Sequence, residues 1–210
     1  MSPLFDFFFG PYADYSTIEI VLEATAVFFG LWSVGLAQKN NIGVYSTGLI
    51  STGIYVYLLW QWNLLGDLLI NSYYFAMSIY GWYYWSQPKA NTMQTPITRM
   101  HKKEQPKAIG LFFGAVGLVL TVYYLNKSWD PVTSPVDTFT TGLFFVGMWL
   151  MARRKIEHWI FWIIGDLISI PLYFYKGFTL TSIQYLIFTY LAIQGYRTWN
   201  TQWNNSLSTD

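Results

Sequence analysis

The 210-residue chain contains no cysteine, so disulfides, thiolate metal sites and cysteine nucleophiles are excluded. Charged residues make up only 11% of it, whereas a typical soluble domain is about a quarter charged. The segment before the first apolar stretch carries acidic rather than basic residues, which makes it a poor cleavable signal peptide. We expect no metal, no cofactor and no nucleic-acid partner.

Apolar residues predominate in the chain, since 53% of its residues are hydrophobic and 21% are aromatic. Apolar runs of about 17 to 25 residues alternate with short polar breaks, and each is long enough to cross a bilayer. The sequence therefore predicts an all-α integral membrane protein in the lipid bilayer, with no room for a soluble catalytic domain. The predicted spans are residues 18–37, 42–60, 64–85, 107–125, 137–152, 157–175 and 179–196.

The sequence also repeats itself after 114 residues without a gap. This shift places Gly81 on Gly195, Trp85 on Trp199 and Tyr45 on Trp159. Repeats of a membrane unit are a common construction of secondary transporters, which bind the solute between the two halves near the midplane. The repeat therefore predicts a transporter.

The seven spans divide into three helices, a linker helix without a counterpart, and three more helices. The odd linker gives both triplets the same orientation, which makes the repeat parallel. Ten of the 12 lysines and arginines fall on one side of this layout, which predicts an outside N-terminus and an inside C-terminus. The predicted segments are an interfacial stretch (1–17), the first triplet (18–86), a cytoplasmic loop (87–106), the linker helix with its outer loop (107–131), the second triplet (132–199) and a cytoplasmic tail (200–210).

Two helix faces carry polar and aromatic stripes at spacings of three and four residues, which places each stripe on one side of its helix. The first consists of Asp67, Asn71, Tyr74, Ser78, Trp82 and Trp85; the second of Trp159, Trp162, Asp166, Ser169 and Tyr173. We expect these faces to meet around a shared axis. Ser78 and Ser169 in these stripes, and Thr52 on the second helix, favour helix packing. Tryptophans near helix ends favour interfacial belts, namely Trp60, Trp62, Trp85 and Trp199.

Asp166 is the sharpest single signal, because a carboxylate near the middle of a span is costly unless it is paired or hydrated. The alternative is a structural hydrogen bond to a neighbouring tyrosine or tryptophan. Asp67 lies closer to the outer surface, where we expect solvation. Glu23 and Asp137 occupy matched positions near helix starts, where we expect them to cap the helices.

The stripes suit a small solute with a flat ring and several hydroxyls. Aromatic faces bind planar rings, and bind cationic rings more strongly. Amide side chains such as Asn71 and Gln184 supply paired donors and acceptors for an amide or a sugar.

Two blocks of the sequence closely resemble the PnuC family of bacterial nicotinamide riboside transporters. The first runs Leu64-Leu-Gly-Asp67-Leu-Leu-Ile-Asn71 and continues from Ser78 to Trp85; the second runs Trp162-Ile-Ile-Gly-Asp166-Leu-Ile-Ser-Ile-Pro171-Leu-Tyr173, followed by Gln184-Tyr185 and Gly195 to Trp199. The resemblance implies a homotrimer in the bacterial inner membrane, an architecture similar to SWEET sugar transporters, and facilitated diffusion of nicotinamide riboside made one-way by cytosolic phosphorylation. The substrate-binding positions would be Trp162, Asp166, Tyr173, Gln184, Tyr185 and Asn71.

Other functions remain open at this point. A uniporter of a related vitamin, such as thiamine or riboflavin, would carry the same repeat and stripes. An intramembrane aspartyl protease would use Asp67 and Asp166, but their depths differ by roughly 10 Å at about 1.5 Å per residue. A retinal-binding photoreceptor needs a lysine deep in its last helix, and residues 179–196 contain none. A scaffold or lipid-binding subunit would bind no small solute.

Overall fold

The structure is a computed structural model that describes residues 15–62, 65–87, 95–177 and 179–207. Seven α-helices cover most of these residues: α1 (Thr17–Gln38), α2 (Gly43–Gln61), α3 (Leu65–Trp85), α4 (Gln105–Asn126), α5 (Thr133–Ala152), α6 (His158–Tyr175) and α7 (Thr179–Leu207). A 3-10 turn, Lys102–Glu104, precedes α4. The predicted all-helical fold with seven helices is confirmed. Most of the predicted interfacial segment, 1–17, lies outside the described residues.

The helices pack in two triplets. In the first, α2 lies between α1 and α3; in the second, α6 lies between α5 and α7. The triplets meet where α3 packs on α5 and α1 packs on α7, and the linker helix α4 packs on α5. Because the 114-residue shift turns α1, α2 and α3 into α5, α6 and α7, it also exchanges these two contacts between triplets. The packing therefore follows the sequence repeat.

Helix starts are capped by residues other than those expected. Ser16 and Glu19 form a capping box at α1, in which the Glu19 amide donates to the Ser16 Oγ at 3.3 Å. At α5 the carboxylate of Asp130 accepts hydrogen bonds from the backbone amides of Val132 and Thr133. The expectation that Glu23 and Asp137 act as caps is wrong, because both lie beyond the first turn of their helices.

Helix α7 is longer than its predicted span. It continues to Leu207, through most of the segment expected to form a tail. Tertiary contacts explain the extension: Trp199 is fully buried, and the ring of Trp203 lies 4.5 Å from the guanidinium carbon of Arg99. These contacts stabilise helical turns that are polar on their remaining faces.

A seam formed by Trp85 and Trp199 joins the two triplets at one end of the bundle. The indole N–H of Trp85 donates to the carbonyl of Met151 at 3.2 Å, and that of Trp199 donates to the carbonyl of Ala37 at 2.8 Å. Both tryptophans have no exposed surface, and their ring centroids are 5.7 Å apart. The expectation that these two residues belong to an interfacial belt is therefore wrong, whereas Trp60 is 68% exposed, as a belt residue is.

Two glycines hold the seam tight. A Cβ added at Gly81 would overlap the ring of Tyr45, and one added at Gly195 would overlap the ring of Trp159. Each pair is the image of the other under the repeat shift. Close approach of helices at small residues is typical of packing in membranes.

Arg154 closes the same end of the bundle and is almost fully buried. Its guanidinium donates to the side-chain oxygen of Asn40 at 2.6 Å and to the carbonyl of Thr95, and it lies 4.3 Å from the ring of Trp85. Burial lowers the pKa of Arg154 to about 10, so the group stays charged at neutral pH. The charge therefore ties the loops of both triplets together.

The outer surface of the bundle carries many large apolar side chains, including Phe28, Phe113 and Leu186, each more than half exposed. Among the described residues, α1, α4 with its 3-10 turn, and α6 are long and apolar enough to cross a membrane by length and composition alone. An apolar exterior of this extent is typical of a protein that faces lipid.

Candidate functional site: an aromatic row beside a buried carboxylate

Five aromatic rings from α3, α5, α6 and α7 form a continuous row in the interior, here named the aromatic row. Its members are, in order, Tyr74, Trp162, Phe144, Tyr185 and Tyr173. Successive ring centroids are 5.9, 5.2, 6.1 and 5.1 Å apart. Phe144 and Tyr185 lie nearly parallel, with 9° between their planes, and Phe144 and Trp162 are also stacked. Such spacings are typical of interacting aromatic pairs.

Small residues on neighbouring helices place the rings of the row. Gly165 on α6 leaves the space that Phe144 fills, because a Cβ there would overlap the phenyl ring. Gly147 on α5 faces the indole of Trp162, which a Cβ would approach to 3.4 Å. The row therefore depends on glycine at two positions of the contact between α5 and α6.

Asp166 lies beside the row and is only 2% exposed. It follows Trp162 by four residues on α6, and it interacts electrostatically with Tyr74 and Tyr185. Three residues further on, Ser169 is fully buried, and its Oγ has no hydrogen-bond partner among the described residues. A buried carboxylate and an unsatisfied hydroxyl on one helix face, next to stacked rings, suit a polar planar solute.

The structure brings together four of the six residues proposed from the sequence: Trp162, Asp166, Tyr173 and Tyr185. The other two, Asn71 and Gln184, are not members of the aromatic row. Asn71 is partly buried on α3, and its amide donates to the backbone carbonyl of Asp67 at 3.0 Å. Gln184 is partly buried and directly precedes Tyr185. Their roles in binding stay predictions.

Phe144 is missing from the residues proposed from the sequence, although it occupies the middle of the row. In sequence it is one apolar residue of an apolar helix. The repeat does mark it, because Phe144 and Trp162 stand where the first triplet has Gly30 and Gly48. This replacement of glycine by a large aromatic residue between the two repeats is the sequence signal that could have identified Phe144.

Charged groups lie at one end of the row, beyond Tyr173. The ammonium of Lys176 forms an ion pair with Asp137 at 3.1 Å and lies 5.3 Å from the centroid of the Tyr173 ring. The hydroxyl of Tyr123 donates to the same Asp137 oxygen at 2.7 Å. Asp67 interacts electrostatically with Asp137 and Lys176.

The two aspartates of the protease hypothesis differ in most of their electrostatic partners. Asp67 interacts with Asp137 and Lys176, and Asp166 interacts with Tyr74, while Tyr185 interacts with both aspartates. An aspartyl protease needs two carboxylates close enough to share a proton. Among the described residues, Asp166 is not one of the groups that act electrostatically on Asp67, nor Asp67 one of those that act on Asp166, so no such pair is seen.

The sequence model of the nicotinamide mononucleotide transporter family matches residues 20–201. The chain belongs to this family. It is 29% identical over 204 residues to the nicotinamide riboside transporter PnuC of Escherichia coli (strain K12), a match that covers 85% of this chain and 84% of the relative. It is 24% identical over 174 residues to the riboflavin/roseoflavin transporter RibM of Streptomyces davaonensis, covering 81% and 80% of the two chains.

A solved structure shares the fold. The crystal structure of the vitamin B3 transporter PnuC matches with a TM-score of 0.65 at 19% identity, over 95% of this chain and 88% of that one. The resemblance to the PnuC family is thereby confirmed. The family and the relatives are membrane transporters. The protein is therefore a multi-pass membrane transporter and not an enzyme.

Proposed function

We propose that the protein imports nicotinamide riboside, a precursor of NAD, across the bacterial inner membrane by facilitated diffusion. The observation that carries the proposal is the aromatic row with Asp166 beside it. Nicotinamide riboside has a flat, positively charged ring, an amide and a ribose. Aromatic faces attract a cationic ring, by about 0.5 to 2 kcal/mol each. The E. coli PnuC relative, named for this substrate, supports the choice.

The proposed site assigns a role to each predicted residue. Trp162, Tyr173 and Tyr185 stack on or enclose the nicotinamide ring, and Phe144 and Tyr74 complete the enclosure. Asp166 compensates the positive charge. Asn71 and Gln184 hydrogen-bond the amide or the ribose. The Asn71 side chain donates one N–H to the Asp67 carbonyl and has a second N–H and its oxygen to offer the solute.

Transport proceeds without proton or sodium coupling in this proposal. Asp166 is the only carboxylate near the middle of a predicted span, and its electrostatic partners among the described residues, Tyr74 and Tyr185, are neutral phenols and not charged side chains. Movement is therefore downhill, and cytosolic phosphorylation of the solute makes net uptake one-way. The functional unit is a homotrimer with an outside N-terminus.

A binding titration tests the substrate. Tryptophan fluorescence of the purified protein, which has 11 tryptophans, is followed while nicotinamide riboside, thiamine or riboflavin is added. Strong saturable quenching by nicotinamide riboside alone is expected, because the solute stacks near Trp162. Quenching by riboflavin alone would favour the activity named for the RibM relative and overturn the proposed substrate.

Proteoliposome uptake tests the mechanism. Vesicles that contain only buffer should take up nicotinamide riboside until the two concentrations are equal, and then stop. Accumulation above the outside concentration that an ionophore abolishes would contradict uniport.

The absence of cysteine makes topology simple to test. In a His101→Cys variant, the single thiol should resist membrane-impermeant reagents added to intact cells, because the proposal places this loop inside. Labelling from outside would reverse the proposed orientation. Cross-linking in native membranes, followed by mass determination, tests the trimer.

A further inference from the structure

The aromatic row ends in a cation that belongs to the protein. Beyond Tyr173, the next group is the Lys176 ammonium, 5.3 Å from the ring centroid. This distance lies within the about 6 Å at which a cation interacts with an aromatic face. The neighbour of Tyr173 within the row is Tyr185, with ring centroids 5.1 Å apart. Lys176 therefore extends the row with a positive charge.

Lys176 keeps a second partner that does not depend on the ring. Its ammonium is 3.1 Å from Asp137, which also accepts a hydrogen bond from Tyr123. The lysine and the aspartate are both partly exposed, at 22% and 25% of their side-chain surfaces. The lysine can therefore leave the ring of Tyr173 while it stays paired with the carboxylate.

We propose that Lys176 determines charge selectivity at this end of the transport path, by occupying the face of Tyr173 that a cationic solute needs. The inference rests on the proposed function, because it takes the solute to be a cationic ring. A solute with a positive ring must displace the ammonium and is also repelled by it. A neutral ring of the same shape is not repelled by the ammonium, and it makes no cation–aromatic contact with Tyr173 that the ammonium could prevent. Lys176 thus weakens binding of cationic solutes relative to neutral ones and limits their rate of access.

Two ligands and two variants test this inference. Nicotinamide riboside and its reduced form, dihydronicotinamide riboside, differ by one hydride and by the positive charge. In Lys176→Met, calorimetric affinity for the cationic form should rise about 2- to 30-fold, the range expected for one cation–aromatic contact. Affinity for the reduced form should change less than about 2-fold on the same scale. Lys176→Arg keeps the charge and should behave like the wild type.

The double variant Lys176→Met/Asp137→Asn separates two causes of such a gain. The further variant Lys176→Met/Asp137→Asn/Asp67→Asn is needed because Lys176 also interacts electrostatically with Asp67. If the displaced ammonium is the cause, both variants keep the gain. If the gain disappears in either, an unmasked carboxylate is the cause, and the inference is overturned. Lys127→Gln, which removes one charge from an exposed loop residue at the predicted outer side, is the control for net charge and should leave both affinities unchanged.

The remaining outcomes are also decisive. Equal changes for both ligands, or a weaker affinity for the cationic form in Lys176→Met, would overturn the role of Lys176 and leave the proposed function intact. Absence of binding to the folded wild type would overturn the proposed function and this inference with it. Size-exclusion elution and melting temperature of each variant verify that it is folded.

Discussion

The first helix triplet has Gly30 and Gly48 where the second has Phe144 and Trp162. At the same depth in the first triplet, Ser51 donates to the backbone carbonyl of Ala26 at 2.8 Å. Small, internally satisfied residues thus fill one half, and stacked rings fill the other. At the seam the halves are equivalent, since Trp85 and Trp199 make matching contacts. Symmetry is kept where the halves join and is absent at the aromatic row, so we expect one binding site in the chain and not two.

The largest effect is expected where the halves are equivalent. Gly81→Val and Gly195→Val each force a side chain into the ring of Tyr45 or Trp159, which should lower the free energy of unfolding by about 3 kcal/mol. Thermal unfolding in detergent measures both losses, and they should be similar. In the matched control, Gly114→Val, the new Cβ meets no described neighbour within 4 Å. If only one of the two seam variants lost stability, the two halves of the seam would not be energetically equivalent.

The next effect concerns the asymmetric centre. Trp162→Ala removes the ring that joins Tyr74 to Phe144, and the loss of stacking should weaken binding of nicotinamide riboside by about 2 to 3 kcal/mol, or roughly 30- to 150-fold. Calorimetry on folded protein measures the change. Trp60→Ala, at a tryptophan that is 68% exposed, should leave the affinity unchanged. Equal losses in the two variants would contradict a specific site.

Gln184 offers a smaller, polar test of the same asymmetry, because its repeat counterpart is Ile70. Loss of a buried hydrogen-bond partner in Gln184→Ala should cost about 1 to 2 kcal/mol of binding, or roughly 5- to 30-fold in affinity. Ile70→Ala is the matched control and should bind normally. If Gln184→Ala also binds normally, the amide or ribose is held by other groups.

The smallest effect is expected at Ser78, which is 3% exposed and whose Oγ would lie 3.4 Å from a Cβ at Gly48. This contact is between α2 and α3, one helical turn from Tyr74. Since its repeat counterpart is already Ala192, Ser78→Ala should change affinity less than about 2-fold. A large loss of affinity would extend the site along α3, beyond Tyr74, to the contact between α2 and α3.

Much of the fold follows from the sequence, because apolar length and polar breaks are local signals. Six of the seven helices end within about a turn of their predicted bounds. The end of α7 does not, since polar residues after Tyr196 indicate a tail and only the contacts of Trp199 and Trp203 favour more helix. Trp85 and Trp199 were misplaced for the same reason: burial at a helix end depends on what the opposite triplet contributes.

The candidate site is less accessible to sequence reasoning. The stripe on α6 identified Trp162, Asp166 and Tyr173, because helical spacing places them on one face. Phe144 lies on another helix, and nothing in its own helix distinguishes it from the residues around it. Its place in the row depends on Gly165, whose missing side chain makes the space. Such a contact between helices is a property of the packed bundle.

The paired tryptophans of the seam have a kinetic consequence. Each indole N–H is bonded to a carbonyl of the opposite triplet, and the repeat relates one bond to the other. If the triplets move as rigid bodies about their common axis, neither bond can lengthen alone. That end of the bundle then opens in a single cooperative event whose barrier includes both bonds, so its opening rate should rise with a change at either tryptophan and rise further with changes at both.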